Sequence, residues 1–205
     1  MDIAKILPLA FVMVAGPQII SAFFFATSES WAKASAAYVA GAAISITLVV
    51  SAAFFLANGA SSDGSEDSGL NTIDYIVLAL LAFAAFRTYR DRNQSEPPKW
   101  MGKLQTATPK ATFVLGFLLL GFFPSDIVTS ITVGSFLGNH GDSWWEILPF
   151  VGFTLFLLGL PALLVAALGT RAKNFLPKAR DWMNANSWIV SEVVIVLFIG
   201  IILSG

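Results

Sequence analysis

Long apolar runs separated by short polar ones make up this chain, and the runs lack the apolar–polar alternation of barrel strands. A helix needs about 20 mostly apolar residues to cross a bilayer. Six segments meet or approach that length: residues 6–26, 34–57, 72–86, 111–137, 146–169 and 188–204. The third is short, which suits a place near the bundle centre or where the bilayer is thin. Backbone amides in hydrocarbon must be satisfied within the protein, and helices do this segment by segment. The pattern therefore predicts an all-α integral membrane protein with six transmembrane helices.

Polar residues between the runs support the division. Ser143-Trp144-Trp145-Glu146 has the spacing of a capping box at the start of the fifth helix. Thr108-Pro109 offers a capping hydroxyl and then a proline at the first helical position of the fourth. Residues 58–69 are rich in Ser, Gly and Asp and read as a solvated loop. The apolar run of the first span is too long for a signal-peptide core, so this span is expected to be retained rather than cleaved.

Composition sharpens the picture. The 205 residues are 56% hydrophobic and only 12% charged, with a mean hydropathy of +0.74. A soluble domain carries roughly a quarter charged residues. With no cysteine and one histidine, His140, the sequence offers no disulfide, thiolate metal site, thiol redox pair or multi-histidine cage. No cofactor or metal is expected. Phosphate-loop, nucleophile-elbow and metal motifs are missing, so neither an enzyme nor a nucleic-acid partner is expected.

Charge sets the orientation. Eleven of the twelve basic residues fall on one side of a six-span arrangement: Lys33, then Arg87, Arg90, Arg92, Lys99, Lys103 and Lys110, then Arg171, Lys173, Lys178 and Arg180. Lys5 is the exception, and the opposite loops carry Asp63, Glu66, Asp67 and Asp142. Basic loops stay in the cytoplasm, so both termini are expected outside the cytoplasmic membrane of a prokaryote. Phe175, Leu176, Ala179, Trp182 and Met183 share one side of a helical segment, and Pro98, Trp100, Met101 and Leu104 form a shorter relative. Both read as topology anchors or as interfacial helices on an anionic leaflet.

The candidate chemistry sits beside two prolines about half a chain apart. Residues 9–17 end in Gly16-Pro17 and residues 116–124 end in Phe123-Pro124, each within an apolar run. A proline inside a helix removes an amide donor and clashes with the preceding turn. In hydrocarbon such a break is tolerated only when buried in protein or facing a watered cavity. Three spans per half would make the halves enter the membrane in opposite directions, the 3+3 inverted repeat of many secondary transporters. The expected layout is a single transmembrane domain over 1–205, with units at 1–87 and 111–205 joined by a basic loop at 88–110.

Polar residues follow each proline: Gln18 and Ser21 after the first, Ser125, Asp126, Thr129 and Ser130 after the second. A charge at the bilayer centre costs at least ~2.5–3.5 kcal/mol, so Asp126 must meet a partner, face a cavity or carry a proton. The expected substrate- or ion-binding set is Gly16, Pro17, Gln18, Pro124, Ser125, Asp126 and Thr129, with Glu192 one turn inside the last span. Asp74 reads as a helix cap, and Pro161 as a bend in the fifth span. Two packing kinks with back-bonded serines would be the plainer reading of the proline pair.

The six spans, the two prolines and the loop Pro97-Pro98-Lys99-Trp100-Met101 followed by Thr108-Pro109-Lys110-Ala111 resemble the GAP family. These are the Sap-type, sulfolipid- or peptidoglycolipid-addressing proteins of the LysE exporter superfamily. The resemblance spans essentially the whole chain, although its distinctive motif is only that loop. Members commonly carry an Asn-Pro-Lys-like sequence in the fourth span, where this chain has Phe123-Pro124-Ser125-Asp126. The likeness implies a six-helix carrier of two inverted three-helix units that exports or translocates a lipid, glycolipid or small polar solute. The buried acid Asp126, where the chain departs from the family pattern, is the candidate for coupling to a proton or contacting a polar head group. Membrane lipids are the expected partners. The alternative is a non-transporting scaffold or complex subunit, for which Ala36, Ala37, Ala40 and Gly41 offer a small-residue face for homo-oligomers.

Overall fold

A computed structural model describes residues 6–61 and 107–185. The third and sixth expected spans, Asp74, Glu192 and the loop around residues 97–101 lie outside the described residues. What is described is entirely helical: α1 (Leu9–Val14), α2 (Pro17–Ala26), α3 (Trp31–Ser61), α4 (Pro109–Phe122), α5 (Pro124–Asn139), a 3-10 turn (Trp144–Glu146), α6 (Ile147–Leu168) and α7 (Thr170–Ala185). Two helices, α3 and α6, are long and apolar enough to cross a membrane, and α4 with α5 forms a pair bent by 64° that passes the same test together, as a broken span or a re-entrant loop. At 1.5 Å per residue, the 31-residue α3 is about 45 Å long and exceeds the ~30 Å hydrocarbon layer. The chain is a multi-pass membrane protein.

Its surface and interior are arranged as lipid requires. Ile44, Leu48, Phe55, Leu118, Phe122, Phe156 and Leu163 are exposed, whereas Gln18, Ser21, Ser45, Thr112, Asp126, Ser130 and Thr154 are buried. Since lipid tails are as apolar as leucine, close helix packing and interhelical hydrogen bonds hold such a bundle together. Here α3 supplies both. It runs alongside α4 in the same direction, with Tyr38 opposite Gly116 and Ser45 opposite Gly121, and continues along α5, with Val50 opposite Gly134 and Phe54 opposite Gly138. A methyl group on Gly41 would overlap the Phe113 carbonyl oxygen, and one on Gly116 would overlap that of Tyr38. Gly41 is thus consumed in packing within the chain.

The Ser45 hydroxyl donates to the Phe117 carbonyl oxygen at 2.8 Å across the same seam. Ser45→Ala is expected to lower stability by about 0.6 kcal/mol and by no more than ~1.7, the range found for interhelical hydrogen bonds in membranes. Chemical denaturation in detergent micelles checks this.

α6 runs the other way, beside α1 and α2. Phe11 meets Phe153 edge-on at 5.4 Å, and at the far end Ala26 clusters with Val165, Ala172 and Leu176. The starts of α3 and α4 and the whole of α7 therefore share one end of the bundle, which gathers the exposed Lys33, Lys110, Arg171 and Lys178. Asp142 belongs to the opposite end, in the turn between α5 and α6.

The capping box expected at residues 143–146 does not form. Ser143 makes no side-chain cap, and the turn tightens into 3-10 geometry while the Trp144 indole donates to Ser51 at 3.0 Å. The chain reverses between Asn139 and Ile147, and the Trp144 side chain is tied to α3 within that reversal. Pro161 lies inside α6, which continues through it without a break, with the ring buried.

Candidate functional site

The two prolines singled out by the sequence end one helix and begin another. Proline disfavours helical geometry in the residue before it. Phe123 accordingly adopts φ −72° and ψ 131°, and Ala15 turns extended at ψ 133°. Gly16 follows at φ 108°, a conformation that a side chain rarely tolerates. Pro17 and Pro124 each then occupy the first position of a new helix, where a missing amide proton costs nothing. The helix starts of α2 and α5 are thereby placed inside the bundle, where their first-turn amides need polar neighbours.

Side chains of the two first turns meet there. Gln18, next after Pro17, donates from Nε2 to Asp126 Oδ2 at 2.7 Å, and both residues are fully buried. The Ser125 hydroxyl donates to the other carboxylate oxygen at 3.1 Å. The acid also lies in the first turn of α5, where the positive end of the helix dipole favours it. Among the described residues no basic side chain pairs with Asp126; its partners are an amide and a hydroxyl. Tyr38, reaching in from α3, donates to the Gln18 backbone carbonyl oxygen at 2.9 Å and packs against Phe25 at 5.0 Å.

Three buried polar atoms around this contact have no hydrogen-bond partner: Gln18 Oε1, Ser21 Oγ and Ser130 Oγ. Ser21 and Ser130 stand one helical turn beyond Gln18 and Asp126. Gln18 Oε1 is turned back toward the break, 3.2 Å from where a Cβ on Gly16 would sit. A buried acceptor left unsatisfied costs about 1–3 kcal/mol, so the site retains unused hydrogen-bonding capacity.

Of the residues expected to form the site, Gln18, Ser125 and Asp126 come together directly, while Gly16, Pro17 and Pro124 shape the two breaks. Thr129 turns away from this contact, donating to the carbonyl oxygen of Ser125 at 2.8 Å within its own helix. Glu192 lies outside the described residues. Tyr38 was not foreseen; the signal available was a lone phenol flanked by Ala36, Ala37, Ala40 and Gly41 inside an apolar run. Among the described residues, no three His, Asp or Glu side chains gather as metal ligands would.

This arrangement, two interrupted helices joined by a buried acid–amide contact, sits within a chain whose residues 6–205 match the family model described as Sap, sulfolipid-1-addressing protein. The chain belongs to that family. No curated protein and no solved structure matches it. Within the Sap chain, the match runs through both breaks and through every described helix.

Proposed function

We propose that this Sap-family protein is a secondary transporter that exports a lipid, glycolipid or small polar solute across the cytoplasmic membrane of a prokaryote, without enzymatic chemistry. The carrying observation is the 2.7 Å hydrogen bond joining the start of α2 to the start of α5. Interrupted helices whose first turns converge on a polar contact are a recurring way to build a transport site in a membrane. The family description favours a lipid or glycolipid as cargo. In this reading the chain is a 3+3 inverted repeat of six helices with both termini outside, the basic end facing the cytoplasm. Gln18 and Asp126 close the site, and cargo or a proton takes up the unsatisfied Gln18, Ser21 and Ser130 atoms when it opens.

Of the small-residue face that would serve the scaffold alternative, Gly41 faces α4, while Ala36 and Ala40 stay exposed. Transport of a fluorescent glycolipid in proteoliposomes, with and without a pH gradient, tests the proposal. Asp126→Asn keeps a side-chain oxygen for Gln18 but cannot exchange a proton, so its flux should no longer respond to the gradient. A gradient response equal to that of the unaltered chain would remove Asp126 from coupling.

A further inference from the structure

α7 is amphipathic in a way that uses two separate faces. Ala172 and Leu176 are buried against Ala26 and Val165, with Phe23, Trp31 and Ala162 around them, so this face docks the helix onto the ends of α2 and α6. Arg171, Phe175, Lys178 and Trp182 recur at spacings of three and four residues, which aligns them along one line of the helix. All four are exposed, Phe175 by 63% and Trp182 by 54%. The stripe is neither a protein core nor a plain solvated face, since cations alternate with large aromatic rings.

Its position decides what it meets. α6 crosses the membrane and ends at Leu168, Gly169 reverses the chain at φ 54°, and α7 begins at once. α7 therefore starts at the membrane boundary, where aromatic rings prefer the headgroup layer and basic side chains meet anionic lipid. We propose that the Arg171–Phe175–Lys178–Trp182 stripe is a binding surface for anionic lipid headgroups, with the two rings set among the headgroups and the two cations pairing with their phosphates. The docked face holds the stripe at a fixed angle to α2, which carries Gln18, so lipid is gripped by a helix packed directly on the site-bearing element. The surface does not depend on the transport reading.

Because the chain has no cysteine, single nitroxide labels report on it cleanly. The full chain carrying Phe175→Cys, whose nitroxide ring stands in for the phenyl group, is placed in phosphatidylcholine vesicles with increasing phosphatidylglycerol. Asn174→Cys, exposed and off the stripe, is the reference. The label at position 175 should become shielded from a water-soluble nickel relaxer as phosphatidylglycerol rises, while position 174 stays accessible. Each cation contributes about 1 kcal/mol near an anionic surface, or roughly a five-fold change. Arg171→Gln with Lys178→Gln should therefore weaken the attraction to the anionic surface by up to about thirty-fold, so that the half-shielding fraction of phosphatidylglycerol moves clearly upward.

Equal nickel access at positions 174 and 175 in both lipids would overturn the proposal. So would shielding at position 175 that is already complete in phosphatidylcholine or in detergent, which would mean that protein covers the stripe. Shielding unaffected by the double substitution would also overturn it, by leaving the cations without a role.

Discussion

Gly116→Leu is expected to destabilise the protein strongly. The site of the added side chain is already filled by the Tyr38 carbonyl oxygen, with the Tyr38 carbonyl carbon at 3.0 Å and the ring behind it. A flexible neighbour could swing aside, but this neighbour is helix backbone. Overpacking typically costs 1–3 kcal/mol and occasionally more, and here the upper end, about 3 kcal/mol, is expected. Tyr38 would also be carried away from the Gln18 carbonyl oxygen, so the damage should reach the site. Gly152→Ala and Gly159→Ala provide the control. Nothing lies within 4 Å of a methyl group at either position, and alanine is favoured over glycine in a helix by about 1 kcal/mol. Denaturation in micelles should find Gly116→Leu well below both alanine variants. A Gly116→Leu protein as stable as Gly152→Ala would show that α3 and α4 are not held at the described separation.

The second large effect is expected at the buried acid. Gln18→Leu keeps much of the side-chain volume while removing the donor that Asp126 Oδ2 accepts from. The carboxyl group is fully buried, and within the described residues only Ser125 then remains to donate to it. Leaving a buried polar group without its partner costs about 1–3 kcal/mol, and more when the group is charged. A loss of about 3 kcal/mol is expected. Gln18→Leu combined with Asp126→Leu should recover most of it, because removing both partners avoids the unsatisfied acid. The diagnostic quantity is the coupling between the two changes in a double-mutant cycle read by denaturation. Simple additivity would mean that the 2.7 Å contact does not contribute, and that α2 and α5 are brought together by packing alone.

What could be read from the sequence, and what could not, divides along a physical line. Residues 6–26 and 111–137 each read as one span, and the prolines within them marked where each would be interrupted, because the constraint that proline places on its predecessor is local. Asp126 announced itself for a similar reason: an acid within a long apolar stretch has few places to go. The partner was less obvious. A neutral amide such as Gln18 carries no charge signal, and only the fold brings it across from a residue 108 positions away. Tyr38 and the glycine seam were only faintly marked, by a lone phenol among small residues, since Gly41, Gly116 and Gly134 acquire their seam role only when a carbonyl oxygen of another helix arrives where a Cβ would be. The failed cap at Ser143 makes the converse point. Its local pattern was sound, but the pull of Ser51 on Trp144 determined the geometry.

The bend at Phe123 is spanned by a splint. α3 is one uninterrupted rod, pressed on α4 near Gly41 and Tyr38 and on α5 near Val50 and Phe54, so the two pieces flanking the 64° corner are clamped to the same beam. A corner braced in this way cannot straighten without prying both pieces off. The junction at Gly16 has a rod of its own, because α6 lies along both α1 and α2, meeting Phe11 before the break and Ala26 after it. Both interruptions are therefore braced corners, each held by one continuous helix pressed against the pieces on either side of the break.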